Sequence, residues 1–275
     1  MIAADFSLPR RAEKEYRAAI AKIVRWVLVP PGRDLGEWLE QITRRSQAPE
    51  ALAASEELAR RMVVQASVRN ARTWREAASR VQRSQWLYAC MREEMTGPVG
   101  SRVSQLVREN AAYISSIPLE SAETLLREII KAQQQGARAA TVARMARQRF
   151  PEILQSRMTL IARTETSKAS AALTRARAES LGLPWYLWKT SEDSRVRSSH
   201  RKLDNVLVAY SDPPSPEALV GEKSTLGRYH AGEAPNDRCT QVVLLSLDDV
   251  KFPRRVYWHG SVTNMNKQEF LRINA

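Results

Sequence analysis

The chain predicts an α+β fold that is mostly α: a helical N-terminal domain, then a small mixed domain whose short-stranded sheet packs on two or three helices. Three observations carry this. Residues 8–113 are dominated by Ala, Arg, Glu and Leu, with Gly nearly confined to turns, as helices require. From Trp185 onward the pattern changes to short apolar, aromatic and β-branched runs separated by Gly, Pro, Asn and Asp. Between the two, residues 118–181 keep a helical spacing. The expected divisions are a helical domain over 1–117, a mixed domain over 118–250, and a basic aromatic tail over 251–275.

In the first domain one helix runs from Leu8 to Val29, stopped by Pro30-Pro31-Gly32. Asp34 is placed to cap a second that reaches Arg45. Pro49 opens a third that extends through Arg69, and a further helix carries Trp74, Val81 and Trp86 before Gly97-Pro98. Trp26, Trp38, Trp74 and Trp86 read as the core of a bundle, the sharper alternative being a docking surface.

Pro118 suits the first turn of a helix whose face is Ala122, Leu125, Leu126, Ile129, Ile130 and Gln133. Gly136 ends it, and a second helix follows with Val142, Met145 and Ala146 inward. Glu152 to Leu181 then forms one long helix with the inward stripe Ile161, Glu165, Ala169, Ala172, Ala176. The alanines allow close approach of another element. Glu165 is a carboxylate on an apolar stripe and needs a partner, expected to be Arg195 or Arg197.

Gly182-Leu183-Pro184 turns the chain into a strand over Trp185–Thr190. Ser191, Glu192 and Asp193 form a turn, with Asp193 or Ser194 capping a short helix that points Val196, His200 and Leu203 inward. Asp204-Asn205 is a turn, Asn tolerating left-handed backbone. Val206–Tyr210 is a strand, Ser211–Pro216 a loop, and Gly221–Gly232 a polar loop whose Gly-Glu-Lys-Ser-Thr lacks the spacing of a phosphate loop. Cys239–Leu247 is a buried strand. Beyond Val250 come Lys251, Phe252, Arg254, Arg255, Tyr257, Trp258 and His259. This tail suits docking on a partner, stacking on nucleic acid, or packing on its own domain.

Lys and Arg number 43 against 30 Asp and Glu, a formal charge of +13. That favours polyanionic partners, whether nucleic acid, anionic membrane or an acidic protein surface. Two cysteines, Cys90 and Cys239, make no disulfide framework and point to a reducing compartment. Asp5 and Arg10-Arg11 interrupt any apolar leader, and the longest apolar run, near Val27–Val29, is far too short to span a bilayer. The expected location is cytoplasm, or a particle assembled there, with no membrane partner.

Three stretches carry a resemblance. Trp188-x-Thr190-x-x-Asp193-x-Arg195-Val196-Arg197-x-x-His200-x-x-Leu203-Asp204 resembles the signature of the phage head-morphogenesis (Mu protein F-like) minor head proteins. Upstream, Ile161-Ala162-Arg163-Thr164-Glu165 is similar to that family's Ala-Arg-Thr-Glu helix. Downstream, Pro235-Asn236-Asp237-Arg238-Cys239 is similar to its Pro-x-Cys-Arg-Cys ending, with Asp237 where the family has the first Cys. The match spans roughly residues 120–245. It implies a minor capsid protein of a tailed bacteriophage, in the head interior near the portal vertex. Head morphogenesis and genome packaging or delivery would be its work, with the portal protein, the capsid interior and packaged double-stranded DNA as partners.

In chemical terms, Arg163, Glu165, Asp193, Arg195, Arg197 and His200 form a polar cluster expected to be structural. No catalytic set is assigned, since neither a HExxH motif, a nucleophile elbow nor paired-carboxylate spacing occurs. No cofactor is expected, zinc being the one candidate, with His200, His230, Asp237 and Cys239 as its ligands. Lys131, Arg138, Arg144, Arg147 and Arg149 occupy a stretch without acidic residues and are the candidate DNA contacts. The alternative to a head protein is a non-catalytic DNA-binding module using a helix-turn-helix-like hairpin at 122–147.

Overall fold

The computed structural model describes residues 6, 9–31, 34–79, 97–247 and 250–274. Seven α-helices and five strands occur among them: α1 Arg10–Val27, α2 Leu35–Ser46, α3 Pro49–Ala78, α4 Pro98–Gln134, α5 Ala139–Ser180, β1 Trp185–Lys189, α6 Ser198–Leu203, β2 Val206–Ala209, β3 Thr240–Val243, β4 Arg254–Trp258, β5 Ser261–Met265 and α7 Lys267–Ile273. The fold class is as expected, a helical N-terminal region followed by a small mixed region.

The chain forms two compact units, each assembled from separate segments. One comprises Pro9–Val64 and Ser104–Glu165; the other comprises Met1–Leu8, Gln65–Val103 and Thr166–Ala275. The expected boundary at 117 falls inside α4, and Pro118 is an interior residue of that helix, not its first turn. Proline removes one ladder donor, yet the helix continues because its buried face does. Ile114 and Ile117 on one side of the proline and Leu125 and Ile129 on the other are each at most 1% exposed. Burial of that stripe outweighs the cost of one missing bond. Likewise α5 runs through Pro151, with Phe150 and Leu154 buried on either side of it, so the two expected helices are one.

The first unit is a helical assembly. Asp34 caps α2 as expected, its Oδ1 accepting from the amides of Gly36 at 2.8 Å and Glu37 at 3.0 Å. Trp38 is buried and meets Phe150 edge-on at 5.2 Å. The α4–α5 hairpin closes on Gly136 at φ 83°. There Ala137 N–H donates to the Ala132 carbonyl and Gly136 N–H to that of Gln133, a paired C-terminal cap that requires a left-handed residue. Arg149 reaches back from α5 to Glu128, and Arg157 to Glu120, fixing the antiparallel register.

The four tryptophans do not share one role. Trp38 and Trp74 are core residues, Trp26 is half exposed, and Trp86, like Val81, lies outside the described residues.

The second unit carries the sheet, ordered β3-β1-β2-β4-β5, antiparallel except for the parallel pair β2–β4. β1 lies between β3 and β2 and is buried on both faces. Tyr186 and Trp188 face a cluster with Trp74, Ala178, Leu181, Val208 and Cys239. Trp185 and Leu187 face another with Leu207, Val256 and Phe270. Phe270 sits on α7, whose start is fixed by reciprocal bonds between Asn266 and Glu269. Of the three roles open to residues 251–275, packing on their own domain is the one seen: β4, β5 and α7 complete the sheet and cover one face of it. Alternating Val256 and Tyr257 were strand residues hidden among the charges around them.

Candidate functional site: the His200–Asp237–Cys239 junction

Two of the three signature stretches meet at the end of β1. Asp204 Oδ1 accepts from both the backbone N–H and the hydroxyl of Thr190, each at 2.9 Å, while Asn205 N–H donates to the Trp188 carbonyl at 2.8 Å. Asn205 has φ 57°, the left-handed geometry its identity predicted. These bonds fold the short helix α6 back over the strand. The helix starts later than expected, at Ser198. Asp193 caps the preceding turn instead, accepting from Arg195 N–H at 3.0 Å. The inward stripe holds: Val196, His200 and Leu203 are all buried.

The loop before β3 is tied to this turn by arginines. Arg238 pairs with Asp193 at 2.6 Å, and Arg197 donates to the Pro235 carbonyl at 2.7 Å. Desolvation pushes the Asp193 carboxyl up, but the Arg195 amide and the charges of Arg238 and Arg195 together outweigh it and hold it below its ordinary range. Arg201 donates to the Ser194 carbonyl at 3.1 Å.

Inside this ring lie His200, Asp237 and Cys239, all buried, with a ligand atom from each within 4.8 Å of the others. His200 Nδ1 is 3.4 Å from Cys239 Sγ and 3.4 Å from Asp237 Oδ1. Its Nε2 is 3.0 Å from the Tyr229 hydroxyl, which in turn donates to Glu217 at 2.6 Å. Asp237 also accepts from the amides of Cys239 at 2.9 Å and Gly232 at 2.8 Å. Burial works to raise the Asp237 carboxyl, but His200 and the Cys239 contacts outweigh it and keep it low. Burial, reinforced by Asp237, pushes the Cys239 thiol far up.

Gly232 is required by this junction. At φ 86° its missing Cβ would stand 3.1 Å from the Cys239 carbonyl and 3.1 Å from Ala171 Cβ, so any side chain there would collide with α5. The close approach along α5 falls at Ala171, outside the expected stripe of Ala169, Ala172 and Ala176. A cavity of about 90 Å³ opens beside the triad, lined by Arg195, Arg197 and Arg238 as well as by the three buried residues.

Several expected members are elsewhere. His230 does not join the metal-ligand set. Its Nδ1 is 3.1 Å from the Tyr186 hydroxyl and its ring packs edge-on against Tyr186 and Tyr210, each at 5.6 Å. Burial and then Arg175 lower its pKa to about 3. Glu165 is buried in the helical unit, where its charge adds to burial in raising the Tyr16 hydroxyl. Arg163 pairs there with Glu13 at 3.4 Å.

The candidate DNA contacts Lys131, Arg138, Arg144, Arg147 and Arg149 are exposed, but Arg149 is bound by Glu128 and Glu152. The hairpin at 122–147 joins helices of 37 and 42 residues, so its small residue, glycine and core pair serve a long antiparallel turn. Short paired helices of the helix-turn-helix kind are not formed there.

Tyr229 and Glu217 carry no signal in the sequence, because they sit in an aperiodic loop that gives no register. Arg177 is a second unforeseen member of the core. It is only 1% exposed, and its guanidinium donates to Asn70 Oδ1 at 2.6 Å and Ser67 Oγ at 3.1 Å. The four- and three-residue spacing of the alanine stripe placed Ala176 inward, whereas the buried face drifts to Arg177 and Ala178.

Among known proteins, residues 123–242 match the family model described as phage Mu protein F like protein. An uncharacterized protein of Haemophilus influenzae (strain ATCC 51907 / DSM 11121 / KW20 / Rd) is 29% identical over 151 residues, covering 55% of this chain and 31% of that protein. The chain thus spans about a third of the length of that relative. No solved structure matches. No described helix is long and apolar enough to cross a membrane. The matched segment contains all three signature stretches, and over it the chain is similar to the phage Mu protein F like family.

Proposed function

We propose that this chain is a minor head protein of a tailed bacteriophage, acting in head morphogenesis inside the head near the portal vertex. Its partners are the portal protein, the capsid interior and packaged double-stranded DNA. The observation that carries this reading is the family match over 123–242. Supporting it, the signature residues are spent on building a fold. Asp193, Arg197, Asp204 and Asp237 all bond loop to loop or loop to strand, an economy suited to shape and not to turnover. A net charge of +13 suits a protein that works beside packed DNA. The role is structural and not enzymatic: the chain carries neither a HExxH motif nor a nucleophile elbow.

The test is imaging of phage heads assembled with and without the chain. Density at the portal vertex should disappear without it, and packaged or delivered DNA should fall while the shell still forms. Purified virions that lack the chain by mass spectrometry, with an unaltered vertex, would overturn the reading. A sharp preference for one operator sequence would favour the DNA-binding module instead.

A further inference from the structure

We propose that His200 Nδ1, Asp237 Oδ1 and Cys239 Sγ bind a zinc ion, with the fourth position open to the arginine-lined cavity. One proton decides the state of the histidine. Hydrogen bonds from Tyr229 and Ser224 outweigh desolvation to keep Glu217 ionised, so the Tyr229 hydrogen goes to Glu217 at 2.6 Å. The Tyr229 oxygen must then accept from His200, which fixes the imidazole N–H on Nε2. In the neutral ring Nδ1 is a bare lone pair, and it faces a carboxylate oxygen and a sulfur. The thiol hydrogen of Cys239 is the proton left among these three atoms, and a metal ion that displaced it would hold nitrogen, carboxylate and thiolate together.

A metal and a charged hydrogen bond ask for different spacings. A buried imidazolium against a carboxylate closes to about 2.7–2.9 Å. Here Nδ1 stands 3.4 Å from Oδ1, longer than that bond, and 3.4 Å from Sγ, a spacing that a hydrogen bond to sulfur also spans. Tetrahedral zinc with ordinary N, O and S bond lengths puts its ligand atoms about 3.3–3.6 Å apart. The two edges that meet at Nδ1 fall in that range.

Two surrounding features agree. Trp188 packs edge-on against His200 at 5.4 Å, and its buried indole N–H has no hydrogen-bond partner within normal reach among the described residues. Trp188 shares its core cluster with Cys239, and an anionic sulfur, the form that metal coordination produces, suits an indole N–H as acceptor. The chain from His200 through Tyr229 to Glu217 is the outer support that metal-bound histidines use to fix their tautomer. One thiolate and one carboxylate neutralise the dication, so the burial carries no net charge.

The test is elemental analysis of the purified full chain after reconstitution with zinc and gel filtration, paired with cobalt substitution. Wild type should retain about one equivalent of zinc, and its cobalt form should show a thiolate charge-transfer band and intense tetrahedral d–d absorption. His200→Ala and Cys239→Ser should lose the metal, whereas His230→Gln should keep it. Asp237→Cys should hold zinc more tightly and intensify the thiolate band, which keeps the proposal testable if the loss variants misfold. Wild type that is folded by circular dichroism yet retains under about a tenth of an equivalent would overturn the site. So would nitrogen NMR that finds both His200 ring nitrogens protonated.

Discussion

His200 Nδ1 stands 3.4 Å from Cys239 Sγ across 39 residues of chain, and each residue comes from a different signature stretch. That approach joins α6 to the entrance of β3, and the groups around it set what perturbation should do.

Tyr229→Phe removes one hydroxyl that serves both His200 and Glu217. Two buried or half-buried polar groups then lose a partner, so the variant should be destabilised by about 1–3 kcal/mol in urea unfolding. Glu217→Gln, which keeps an acceptor, should cost less.

His230 should make stability fall in mild acid. Its folded pKa is depressed to about 3 from 6.5, so below 6.5 the unfolded chain binds a proton that the folded chain refuses. Stability from this group is complete above 6.5 and is lost as pH drops toward 3, by about 1.4 kcal/mol per unit. Urea midpoints measured across that range should flatten in His230→Gln relative to wild type.

Gly232→Ala should be strongly destabilising although it adds one methyl group. The new Cβ would meet a carbonyl and Ala171 at 3.1 Å in a backbone conformation that L side chains rarely adopt. A loss of about 2–4 kcal/mol is expected, read as a lowered thermal midpoint, with Ala171→Gly recovering only part of it.

Arg177→Ala should cost about 2–4 kcal/mol, because Asn70 and Ser67 were arranged to receive its guanidinium and are buried. Arg175→Ala, two residues away and paired with Glu179 near solvent, should cost far less. Comparing their urea midpoints isolates burial from charge.

If the hairpin meets DNA, Arg138, Arg144 and Arg147 changed together to Glu should weaken sequence-independent binding. Its salt dependence should flatten by about 0.9 for each phosphate no longer neutralised. Arg149→Glu should do less than its charge suggests, since Glu128 and Glu152 already hold that side chain. Fluorescence titrations with duplex DNA at several salt concentrations measure both.

The elements that local chemistry dictates were legible in the chain. Asp34 before an amphipathic run, Gly136 after one, and Asn205 between strand and turn each act within a few residues, and each does what its type predicts. What failed were inferences about continuity. Pro118 and Pro151 looked like boundaries because a proline costs a helix one bond, but the buried stripes running past them decide the matter. Residues beyond 250 looked like a tail because Arg254 and Arg255 mask the strand, whose pairing partner lies about fifty residues earlier. At the site, His200, Asp237 and Cys239 were named from residue type, but His230 was named with them on the same grounds. Only packing against Tyr186 and Tyr210 separates the two histidines.

The parallel pairing of Leu207 with Val256 has a practical consequence. A truncated gene product ending near residue 242 would keep every signature yet leave β2 with a bare, apolar rim and strip Phe270 from the floor beneath Trp185. Such a rim recruits strands from other molecules. Expression of residues 1–242 should give inclusion bodies, while extension to Ile273 should restore soluble material.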